Sequence, residues 1–232
     1  MSFWPSLNRR RFLQAGTTAA AGVAGVALTG MQSADASQLR PGQFDQSYLD
    51  HKADVRQIWD FTTVEQLTTG LSAMKNAANA FQFSYNKSFF LVVDMRGSAV
   101  VGALNGTMWI KYKLGAKYQI FDPATTAYVM HNPFYQRLNK DAGTLSSDDA
   151  RSLYQDATLA ALALRGAHLS ACHDALQSQA ALTVKDGRAP GMTANAVYRD
   201  FAANLVPSAQ ETPSGSALIA VAQLLGYTYA KQ

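Results

Sequence analysis

The run Phe89-Phe90-Leu91-Val92-Val93-Asp94-Met95 constrains this chain more than any other feature. Its apolar residues are consecutive and lack the alternation of a strand with one wet face. Such a run fits a strand covered on both faces, which is the setting of a parallel sheet flanked by helices. Upstream, Val64, Leu67, Leu71, Met74, Ala78 and Phe81 recur three and four residues apart. That spacing predicts an amphipathic helix, with Thr62 or Thr63 as its N-cap. Residues 55–61 mix apolar and polar side chains in rough alternation and predict an earlier strand. Strand, helix and buried strand together make a βαβ unit.

The pattern continues along the chain. Arg96-Gly97-Ser98 forms a turn. Helix is predicted over about 99–113, with a break at Asn105-Gly106. Residues 114–146 are the least regular part, punctuated by Asp122-Pro123 and Asn132-Pro133. Ser147, Asp148 and Asp149 offer an N-cap and first-turn acids for a helix through Leu153, Ala157, Ala160 and Leu164, ended at Arg165-Gly166. His168-Leu169-Ser170-Ala171-Cys172 predicts a third strand. Thr193 caps a helix carrying Val197, Phe201 and Leu205, and a short strand lies within 206–212. Pro213-Ser214-Gly215 turns into a last helix with Leu218, Val221, Ala222 and Leu225, ended by Gly226. The order predicts an α/β fold: one three-layer domain over 54–232 with a mostly parallel sheet and an insertion at about 114–146.

The first 36 residues read differently. Arg9-Arg10-Arg11-Phe12-Leu13 resembles the twin-arginine export motif, followed by a short apolar stretch and the small-residue pattern Ala34-Asp35-Ala36. The resemblance implies export by the twin-arginine translocase and a periplasmic location, with the segment either cleaved after Ala36 or kept as an anchor. Residues 37–53 read as an extended leader. The chain of 232 residues is 48% hydrophobic and 16% charged, which excludes general disorder. Its formal charge of +4 is too mild to indicate nucleic acid. Beyond the first 36 residues 17 basic face 15 acidic residues, so half of the excess belongs to the address. A single Cys excludes a disulfide framework, and His51, His131 and His168 lack metal-ligand spacing. No turn has a Walker A or GxGxxG pattern, and no cofactor is expected.

Three segments carry a family resemblance. Residues 92–100 look like a strand, glycine turn and helix start; 164–172 look like a helix, Arg-Gly turn and strand ending in cysteine; 213–215 with 226–229 look like a closing turn and helix. In this order they resemble the DsrE/DsrF-like sulfur-relay family over about 54–230. The resemblance implies a sheet of roughly five strands and a homo-oligomer, trimer or hexamer. It also implies a cysteine that in some members carries sulfur as a persulfide, received from or passed to a partner protein.

Cys172 is therefore the candidate nucleophile, with His173 as the group that tunes it or moves its proton. A thiol at a strand's carboxyl end, near a helix N-terminus or an imidazolium, has a lowered pKa. The same residue also reads as a small buried hydrophobe. Arg96, Gly97, Ser98, Ser214 and Gly215 would line the same cleft, and their backbone N–H groups with the Arg96 fork suit a small anion. Two functions stay open: a sulfur-transferase-like carrier acting through Cys172, or a non-catalytic anion-binding or assembly module.

Overall fold

A computed structural model describes residues 44–136, 138 and 141–231. The export-signal segment and leader residues 37–43 lie outside the described residues. Five strands form one sheet: β1 Val55–Phe61, β2 Phe89–Met95, β3 His168–Cys172, β4 Ala209–Thr212 and β5 Thr228–Lys231. Every pairing is parallel, in the order β4-β3-β2-β1-β5. The chain is thus an α/β domain of three layers, as its alternation requires.

The first three crossovers step across the sheet in one direction, and the last returns across its full width. Right-handed crossovers then put the early helices on one face and the last helix on the other. The large core joins α1 (Val64–Asn79), α5 (His173–Lys185) and α6 (Ala194–Ala203) to Trp59, Phe61, Leu91, Val93, Met95, Leu169 and Ala171 of the sheet. On the opposite face α7 (Gly215–Leu224) packs Leu218 and Ala222 on Ile58, Phe90 and Val92. Alternate residues of each strand serve opposite faces, so the apolar run of β2 feeds both.

Helix α1 starts where Thr63 and Gln66 form a capping box: Thr63 Oγ1 accepts from the Gln66 N–H, and Gln66 Oε1 accepts from the Thr63 N–H at 3.0 Å. Gly97 follows β2 with φ +54°, and a Cβ there would collide with the Thr62 carbonyl oxygen. Residues 97–103 wind as a 3-10 helix and only Gly106–Lys111 (α2) is α-helical, with Asn105 as its N-cap. A single turn, α3 (Leu114–Lys117), precedes the irregular stretch.

Three expectations change. The helix predicted from Ser147 to Arg165 begins only at Leu159 (α4, Leu159–Leu164). Asp149 accepts from the Arg151 N–H, Asp156 from the Thr158 N–H, and Leu153 N–H reaches Ala142 O. These local acceptors satisfy the backbone in turns and compete with helix. Helix α5 was not predicted beyond a start near His173, because Gln179 and Thr183 interrupt its apolar face; both are buried. Strand β5 was not read from its own residues, since Thr228-Tyr229-Ala230-Lys231 is short and mostly exposed at a sheet edge. Among the described residues no helix is long and apolar enough to cross a membrane.

The capping box gives a direct check. Thr63→Ala should lower stability by about 1 kcal/mol, read as an earlier urea midpoint at unchanged slope.

Candidate functional site: a buried polar row under helix α7

Parallel register places Asp60, Asp94 and Ser170 side by side across β1, β2 and β3, and Cys172 beside Thr212 one step further along. Asp60, Asp94, Ser170, Thr212 and Cys172 are all at most 5% exposed. They lie at the carboxyl ends of the strands, where ligands bind in open parallel sheets.

Arg96, the residue after β2, closes one end of the row. Its Nε donates to Asp60 Oδ1 at 2.7 Å and its Nη2 to Asp60 Oδ2 at 2.6 Å. The Tyr229 hydroxyl donates to Asp60 Oδ2 at 2.7 Å. Burial pushes the Asp60 carboxyl up, but the Arg96 and Tyr229 donors outweigh it and hold it below the usual range. The remaining Arg96 nitrogen, Nη1, reaches Ser216 Oγ at 3.4 Å. Arg96 is thus already paired with a carboxylate.

Asp94 is the opposite case. Among the described residues neither of its oxygens has a hydrogen-bond partner. Burial, then the negative charge of Asp60, pushes its pKa up to about 7, with Arg96 opposing. The first turn of α7 lies directly on it: a Cβ at Gly215 would stand 2.6 Å and 2.8 Å from the two carboxyl oxygens. A side chain at residue 215 would have to displace that carboxyl. The hydroxyls of Tyr48, Ser170 and Thr212 lie beside one another nearby, none in a well-formed hydrogen bond. Tyr48 also stacks on His168 at 3.4 Å between centroids, and burial lowers the His168 pKa to about 4.

Cys172 ends β3, and its Sγ accepts the Gly215 N–H at 3.4 Å. Ser214, the N-cap of α7, makes no side-chain capping bond. The sulfur instead accepts the N–H of Gly215, the first helical residue, one of the donors that a helix start leaves unpaired. Burial pushes the thiol pKa up, the Gly215 and Ala175 N–H groups pull it down, and the Asp94 and Asp174 charges push it up further. The net shift is upward, so the resting group is a neutral thiol.

The structure brings Cys172, Arg96, Ser214 and Gly215 to one place. Gly97 and Ser98 hold the adjoining turn: Gly97 O accepts from Gln179 Nε2, and Ser98 Oγ accepts from Val64 N–H. The His173 imidazole is engaged elsewhere. Its Nδ1 lies 2.6 Å from Glu211 Oε1 and its Nε2 2.8 Å from Gln177 Nε2, while the Tyr198 hydroxyl donates to the same Glu211 oxygen at 2.9 Å. Glu211 pairs in register with Ala171 of the large core; Cys172 is packed against that core too, and its sulfur meets the Gly215 N–H of α7. Sequence reading missed Asp60, Asp94 and Tyr229. The available signal was one acid inside each of two apolar strands.

Among the described residues no cluster of three or more His, Cys, Asp or Glu could hold a metal ion. The chain matches no family model, and comparison with curated proteins and with solved structures returns no match.

The row has a pH signature. Folding raises the Asp94 pKa from 3.8 to about 7. Between those values the folded chain keeps a proton that the unfolded chain has lost, so this group's contribution to stability falls as pH rises through that window. The full loss corresponds to about 4 kcal/mol. His168 works in the opposite direction below its ordinary value of 6.5, so the wild-type curve alone mixes the two. The difference between wild type and Asp94→Asn isolates the carboxyl. Urea unfolding should show the variant gaining on the wild type from pH 4 to pH 8; a difference independent of pH would refute the assignment.

Proposed function

We propose that this domain handles sulfane sulfur as a persulfide on Cys172, with Asp94 holding the proton in transit. Support comes from the acceptor position of the Cys172 sulfur under the first-turn N–H of α7, beside an unpartnered carboxyl whose pKa is about 7. The resemblance to the DsrE/DsrF-like family at residues 164–172 points the same way.

The step balances without a cofactor. Cys172 Sγ–H gives its proton to the Asp94 carboxylate. The thiolate attacks the terminal sulfur of a donor R–S–SH, forming the Cys172 S–S bond as the donor S–S bond breaks. The departing R–S⁻ takes the proton back from Asp94. The products are Cys172–S–SH and R–SH. The Gly215 N–H stabilises the sulfur anion on the way, as helix N-termini do for thiolates. His173 has no role in this step. With one Cys in the chain, release of the sulfur requires an acceptor thiol from outside it, on a partner protein in the family the chain resembles. The export motif would place this exchange in the periplasm, and the family likeness would place it in a homo-oligomer.

The burial of Cys172 and its upward-shifted pKa favour a second reading, a structural thiol in a non-catalytic module. Its ligand would not be held by Arg96 alone, because Asp60 already takes two of that side chain's donors.

Intact mass after incubation with polysulfide separates the two. The carrier gains one sulfur atom per chain, reversible by dithiothreitol. Cys172→Ser abolishes the gain with circular dichroism unchanged, and Asp94→Asn slows it. Wild-type protein that gains no sulfur, or a gain that survives in Cys172→Ser, would leave the module reading.

A further inference from the structure

Helix α7 is not the only cover of the second sheet face. Along β3 the face also carries residues 44–53, a strap with one 3-10 turn at Ser47–Asp50. Tyr48 stacks on His168, the first residue of β3, and its hydroxyl lies beside Asp94, Ser170 and Thr212. Phe44 sits edge-on to His173, just past the end of β3, with ring centroids 5.7 Å apart. The strap thus runs along β3 from its carboxyl end to its amino end. It closes over the polar row in which Thr212 is the register partner of Cys172, and Cys172 itself is 5% exposed.

This cover is lightly held. Of residues 44–53 only Leu49 is buried, packed with Ile58, Phe90 and Val92. The strap's backbone bonds are local, from Leu49 N–H to Gln46 O and from His51 N–H to Tyr48 O. Before Asp54, its one hydrogen bond to the rest of the domain among the described residues is from the Tyr227 hydroxyl to Leu49 O, at 3.0 Å. At Asp54 the chain is clasped: Asp54 N–H donates to Ser88 Oγ at 3.0 Å and Ser88 N–H to Asp54 Oδ2 at 2.9 Å. Beneath the strap, the Tyr48, Ser170 and Thr212 hydroxyls, both Asp94 oxygens and His168 Nε2 are buried without a well-formed hydrogen bond among the described residues. Each such group favours a state in which water reaches it. A segment with few apolar contacts, closed over groups that gain by hydration, opens at a lower cost than the domain unfolds.

We infer that residues 44–53 are a gate: the strap lifts off β3 about its Asp54–Ser88 clasp, and this local opening admits a persulfide donor to Cys172. The inference deepens the carrier reading and rests on it for the identity of the reactant. Closed, the strap shields the thiol and its persulfide from oxidants, which attack exposed sulfur. Open, it frees the whole row from Asp94 to Thr212 at once.

The rate at which iodoacetamide alkylates Cys172 in the native full chain, followed by intact mass at fixed pH, measures the opening. Wild-type labelling should be slow and nearly independent of urea below the unfolding transition, because a local opening exposes little surface. Tyr48→Ala should speed it by about tenfold or more. Leu49→Ala should act in the same direction, which keeps the test open if one variant fails to fold. Thr63→Ala lowers global stability without touching the strap and should leave the rate unchanged, whereas labelling through global unfolding would speed up by about fivefold. The inference is overturned if Thr63→Ala or urea accelerates labelling to that extent, or if the folded strap variants label no faster than wild type. Alkylation needs no sulfur transfer, so the two readings fail separately. Faster alkylation in the strap variants with no sulfur gained from polysulfide removes the carrier and keeps the gate. Sulfur gain with alkylation indifferent to the strap variants removes the gate and keeps the carrier.

Discussion

The bidentate pair of Arg96 with Asp60 is the interaction on which the carboxyl end of the sheet depends. Two acids from adjacent strands are buried side by side, and the sheet register forces them together. Both cannot keep their charge cheaply. Arg96 stabilises one of them as a carboxylate, and the other accommodates burial by retaining its proton near neutrality. Removing one partner of such a pair leaves a buried unpaired charge, at a cost of about 3–5 kcal/mol. The two carboxyls thereby acquire different chemistry from nearly identical positions. One is a fixed anchor for Arg96 and Tyr229, and the other is a proton holder beside a thiol.

Topology explains why this polar row exists on one face only. Three successive crossovers stack α1, the 97–111 segment, α5 and α6 on the first face and build the large core there. The other face is crossed by α7, which covers Ile58, Phe90 and Val92 but meets the strand ends with its first turn. Backbone N–H groups, not side chains, approach the sheet at that point. Gly215 permits the close approach, and Cys172 supplies the acceptor for its N–H. A thinner layer with a polar end is where an α/β domain can host chemistry without disturbing its main core.

Much of this was legible in the residues. The buried run of β2, the periodicity of α1 and the strand ending at Cys172 all followed from apolar spacing. The site was legible in part. Cys172, Arg96, Ser214 and Gly215 were named from strand ends and turns, and they do converge. Asp60 and Asp94 lay inside strands the residues predicted, but an acid within a strand gives no sign of its neighbours until register sets the two side by side. The pairing of His173 with Glu211 was equally hidden. Adjacent residues at a strand end point to opposite faces, so sequence neighbours such as Cys172 and His173 need not meet.

Sequence by itself determined the class of fold, because consecutive apolar strands separated by amphipathic helices can bury both sheet faces only in a layered parallel α/β arrangement. It also determined where the turns fall, through Gly97, a cap at Thr62 or Thr63, and Gly226. Only the tertiary structure decided which charges meet. Asp60 comes to Arg96 and Tyr229, Asp94 is left without a hydrogen-bond partner among the described residues, and Arg165 comes within cation–π distance of both Phe89 and Tyr154. Those outcomes depend on strand register and on contacts between residues up to 169 positions apart, and local propensity carries no information about either.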